Sequence, residues 1–83
     1  PSDRRKEAFQ RVMADAWAIQ ESRKQIHGES WQAMPMSVHI AAAYYKLAHS
    51  LYNTTDQAKV KDDLLDALNY IVFALVVSEK EGK

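Results

Sequence analysis

Glycine and proline occur at only four places in this 83-residue chain: Pro1, Gly28, Pro35 and Gly82. Between them run long stretches patterned every three to four residues. Such stretches leave a chain little to form except helices. The first runs over about 3–26, with Ser2 or Asp3 as N-cap and Phe9, Val12, Met13, Ala16, Trp17 and Ile19 or Gln20 on one apolar face. Gly28 supplies the stop, since it can adopt the left-handed backbone that closes a helix. A loop over 28–36 holds Trp31 and Pro35. The second helix spans about 37–52, capped by Ser37, with Ile40, Tyr44, Leu47 and Leu51 in one stripe. Tyr44, Tyr45 and Tyr52 read as packing residues. Asn53-Thr54-Thr55 breaks the helix, and Thr54 with Gln57 spells a capping box for a third helix over about 56–80. The expected fold is all-α, an antiparallel bundle of three main helices in one domain over 1–83, completed by oligomerisation. So small a chain buries a modest fraction of its surface, and its third helix is apolar around most of its circumference.

Charge and composition exclude several classes of function. Eleven basic residues balance eleven acidic ones, which gives no field to gather nucleic acid or anionic membrane. There is no cysteine, hence no disulfide frame and no thiolate metal site. The run Tyr70–Val77 is far shorter than the ~20 residues of a membrane span. A cytoplasmic protein is expected, and Pro1 suggests a removed initiator methionine.

The chemistry concentrates in Lys59–Phe73, KVKDDLLDALNYIVF. At about 100° per residue, Asp62, Asp63, Asp66, Asn69 and Tyr70 share an arc of roughly 120°. Val60, Leu64, Leu65, Leu68, Ile71, Val72 and Leu75 fill the other side. Carboxylates on one face of an otherwise apolar helix point to a cation or a phosphate-binding network. Asp63 and Asp66 are adjacent on it. Helix two carries a polar line of His39, Lys46, His49, Ser50 and Asn53. With the two helices antiparallel, Lys46 and His49 meet Asp63 and Asp66, while His39 reads as a surface residue. Lys24 and His27 sit at a helix end, where cations complement the dipole. The histidines lack the spacing of a zinc helix.

The string KDDLLDALNYIVFAL resembles the second acidic helix of the all-α nucleoside triphosphate pyrophosphohydrolases, the MazG-like and dimeric dUTPase group. The segments Lys24 … His27-Gly28-Glu29-Ser30-Trp31 and Lys46-Leu47-Ala48-His49 are similar to motifs of its small phage-encoded relatives, in the same order. The resemblance spans about residues 20–77. It implies Mg²⁺ held by Asp63 and Asp66, which would be the catalytic pair in an active enzyme. It implies a nucleotide between helices two and three, with Lys24, Lys46 and His49 toward phosphate, Trp31 or Tyr70 on the base, and Asn69 positioning the ligand. It also implies a homo-oligomer, in the host cytoplasm for a phage protein. Two departures stand out. The group's E-E-x-x-E set has no counterpart beyond Glu21 and Glu29, and His49 replaces an arginine. Binding or sequestration without turnover, including of a host defence signal, is therefore the expected function. Mg²⁺-dependent pyrophosphohydrolysis and a structural helical module are the alternatives.

Overall fold

The computed structural model describes residues 3–81, apart from the side chains of His27 and Glu81. Pro1, the Ser2 cap and the last two residues lie outside the described residues. Helix α1 covers Arg4–His27, α2 Met36–Tyr52 and α3 Gln57–Glu81, and a short 3-10 turn over Ser30–Ala33 joins the first two. No strand occurs among the described residues, so the all-helical expectation holds. No described helix is long and apolar enough to cross a membrane.

The helix ends follow local chemistry, with two corrections. Gly28 takes φ 66°, and its N–H donates to the Lys24 carbonyl at 2.8 Å, ending α1. A positive φ is costly for any residue with a Cβ, so glycine is the residue that permits this stop. Helix α2 starts one residue early, after an extended Pro35, with no side-chain cap. Ser37 is already inside the helix and caps nothing. At α3 the expected Thr54–Gln57 box gives way to Asp56, whose Oδ1 accepts the Lys59 N–H at 3.2 Å. Asp56 wins because it stands immediately before the first helical residue, three before the free N–H it bonds.

Helices α2 and α3 pack along much of their length, and α1 touches α3 more lightly. Their contacts run in opposite order: His49 meets Asp63, Lys46 meets Asp66, and His39 meets Tyr70 and Phe73. Small side chains bring the helices together, with Ala43, Ser50, Ala67 and Ala74 buried. Helix α1 is anchored at its middle, where Ala16 is buried and the Asn69 amide donates to the Ala16 carbonyl at 3.1 Å.

The core is thin. Among the described residues four of the six buried apolar ones are alanines, while the expected α1 stripe of Phe9, Val12, Met13 and Trp17 lies exposed. Tyr44, Tyr45 and Tyr52 are exposed as well, against the expectation that they pack. The cause is geometric: one light crossing cannot cover the N-terminal half of α1, and the broad outer face of α2 and α3 has no fourth helix over it. A radius of gyration of 14.1 Å exceeds the roughly 12 Å of a compact chain this long.

Candidate functional site: a cation-walled pocket beneath the Trp31 loop

Asp66 is the centre of the site. It lies in the third turn of α3 and is only 6% exposed. A carboxylate so placed needs counter-charge, and two cations supply it. Lys46 Nζ from α2 stands 3.2 Å from Oδ2, and Arg23 Nη1 from α1 stands 2.8 Å from Oδ1. No hydrogen bond reaches Oδ1. The guanidinium approaches off its N–H axis, so that contact is charge against charge rather than a directed bond. One turn earlier, buried Asp63 accepts from His49 Nδ1 at 2.9 Å. The carboxylate can only accept, so Nδ1 carries the proton in this pair.

Above this network the loop folds over α3. The Trp31 indole stacks on Phe73 at 4.3 Å between centroids, nearly parallel at 12°. Tyr70 and His39 meet Phe73 edge-on, at 6.0 and 5.4 Å. His39 corrects the surface expectation. At 1% exposure it is the most buried large side chain, and its Nε2–H donates to the Trp31 carbonyl at 2.9 Å. Buried and bonded, it is part of the wall that sets the loop. Trp31 Nε1 is buried without a partner.

Between loop and helices lies a cavity of about 540 Å³, walled by Arg23, Trp31, Lys46, Asp66, Asn69 and Tyr70 among others. A second, of about 460 Å³, lies beside it and shares Arg23, Lys46 and Asp66, adding His49, Lys59, Asp62 and Asp63. Of the expected ligand residues, Trp31, Lys46, Asn69 and Tyr70 border the first and His49 the second. Lys24 borders neither. It is half exposed and lies 3.9 Å from Glu29. The cation that α1 contributes is its neighbour Arg23, which the sequence reading did not name. Phe73 and Gln20 also line the first cavity. The polar tilt of α1 at Gln20 and Arg23, three apart on one face, was the available signal.

The donor set bears on the metal expectation. Asp66 is engaged by two cations and Asp63 by His49, and no group of three or more acidic or histidine side chains suited to a metal occurs among the described residues. A magnesium ion at Asp63 and Asp66 would have to displace these partners. In the second cavity Arg23, Lys46 and Lys59 face Asp62, Asp63 and Asp66, so the fixed charges balance, whereas in the first Arg23 and Lys46 face Asp66 alone, a surplus of positive charge that suits an anion.

No family model matches the chain, and no similar curated protein or solved structure was found.

Proposed function

We propose that the chain binds a phosphate-bearing small molecule, most simply a nucleotide, in the cavity between α2, α3 and the Trp31 loop, without turning it over. The observation that carries this reading is the convergence of Arg23 and Lys46 on one buried carboxylate at the edge of an aromatic pocket. One negative charge faces two positive ones there, so an incoming phosphate can take over contacts that Asp66 now makes. Charge-assisted bonds of this kind are among the stronger polar contacts available to a ligand. The aromatic side chains supply a surface for a base. The Asn69 amide gives one of its two N–H donors to the Ala16 carbonyl, which holds the side chain at the cavity wall and leaves its second N–H and its oxygen for a ligand. The MazG-like resemblance of α3 points to the same ligand class. The reading takes α2 and α3 as antiparallel neighbours and the working protein as a homo-oligomer, consistent with the apolar surface left exposed.

Calorimetry with linear and cyclic nucleotides, with and without Mg²⁺, tests it, with the recovered ligand checked by chromatography. Binding with the ligand intact is expected. Recovery of monophosphate and pyrophosphate would make the chain a pyrophosphohydrolase instead. No heat from any ligand would leave a structural module.

A further inference from the structure

We propose that the cavity beneath the Trp31 loop takes ligands with a single phosphate group, a monoester or a diester, and discriminates against di- and triphosphates. This rests on the ligand-binding reading above and narrows its ligand class.

The fixed charges set the number of phosphates. Among the described residues, Arg23 and Lys46 are the only lysine or arginine side chains that line the first cavity, and both converge on Asp66. His39 also borders it, but its ring is spent on the Trp31 carbonyl. The rest of the lining is neutral, aromatic at Trp31, Tyr70 and Phe73 and amide at Gln20 and Asn69. Two cations against one carboxylate leave a single positive charge. A phosphate monoester brings a charge of about −1.5 to −2 at pH 7, and a diester brings less. One phosphate therefore uses up what the cavity offers.

A longer phosphate chain finds no further support on either side. Toward the aromatic end there is no cation to receive it, and that space is the one the ring system of the ligand needs. Past Arg23 and Lys46 lies the second cavity, where the chain gains Lys59 but meets Asp62 and Asp63. Lys59 is exposed, so water and salt screen it. Asp63 is buried, where a charge is felt more strongly. Its partner His49 donates a hydrogen bond yet counts as neutral at pH 7, so it does not cancel the carboxylate. Each phosphate after the first thus faces more negative charge than positive.

Titrations in EDTA at one ionic strength test this. The probes are the nucleoside, the monophosphate, the cyclic monophosphate, the diphosphate and the triphosphate of each common base. One of the two single-phosphate forms should bind tightest, and which of them does so tells monoester from diester. The bare nucleoside should bind more weakly. The triphosphate should lie roughly tenfold below the monophosphate, the scale of one poorly screened like-charge contact. Asp63→Asn should narrow that gap, and Asp62→Asn, at an exposed position that the fold tolerates, should narrow it less. Affinity that rises from mono- to triphosphate would overturn the proposal while leaving nucleotide binding in place. A gap that neither substitution moves would overturn it too, since the second cavity would then not be its cause. No binding by any probe would overturn both this and the ligand-binding reading.

Discussion

The His39 ring donates a hydrogen bond to the backbone carbonyl of Trp31, so a side chain in the first turn of α2 fixes the loop that precedes it. The bond spans eight residues and lies among aromatic rings, where an unmade polar contact is costly. The loop therefore takes its position over α3 from α2 as well as from its own 3-10 turn.

Replacing His39 should separate bonding from filling. His39→Phe keeps a ring and loses the bond, for an expected cost of about 1–2 kcal/mol. His39→Ala also leaves a cavity, for about 2–4 kcal/mol. Thermal melts should rank them in that order, and both variants should bind ligand more weakly than their stability loss alone implies, because the Trp31 loop shifts.

Asp66→Asn discriminates between readings of the pocket. It removes the counter-charge from Arg23 and Lys46, for a stability loss of roughly 1–2 kcal/mol, moderated because both cations are partly exposed. A phosphate ligand that competes with Asp66 should then bind as well or several-fold more tightly. A magnesium-dependent hydrolase would lose its activity. Calorimetry and product chromatography on the same variant report both.

Lys46→Ala should weaken phosphate binding by about tenfold, the scale of one partly exposed charge-assisted contact. Arg23→Ala should do the same, and Lys24→Ala should change little. Equal effects of Arg23→Ala and Lys24→Ala in a titration would contradict the assignment of the α1 cation.

Trp31 provides its own readout. With Trp17→Phe removing the exposed indole, ligand should change the emission of the one that stacks on Phe73. Trp31→Phe discards the unpartnered Nε1 and should alter stability by about 1 kcal/mol or less. Any larger loss of affinity in that variant measures a bond from the indole to the ligand.

The start of α3 offers a test free of the pocket. Asp56→Ala should cost about 1 kcal/mol as the loss of a helix cap, which in a chain of this size lowers the melting temperature by roughly 4–8 °C. Thr54→Ala should be close to neutral.

The meeting of Lys46 with Asp66 and of His49 with Asp63 was legible in the sequence. It needs only the helical period and a short connection between neighbouring helices. The burial of Asp63 and Asp66 followed from their setting in an apolar run. The burial of His39 was not legible, because a histidine beside Val38 and Ile40 reads the same whether it faces water or a carbonyl from another segment. Arg23 and Lys24 differ by about 100° around α1, and the rotation of that helix is set largely by its crossing at Ala16, which leaves no periodic trace. The α1 and α2 stripes were read correctly as apolar, but periodicity alone does not say whether a face is covered by the same chain.

Arg23, Lys46 and Asp66 stand between cavities of about 540 and 460 Å³ and belong to both. The partition is thus an ionic one, made of flexible side chains rather than interlocked carbon. Salt can loosen it, and an anion that draws the two cations apart would turn two small chambers into one elongated trough. The space open to a guest is in that sense set by the guest's own charge.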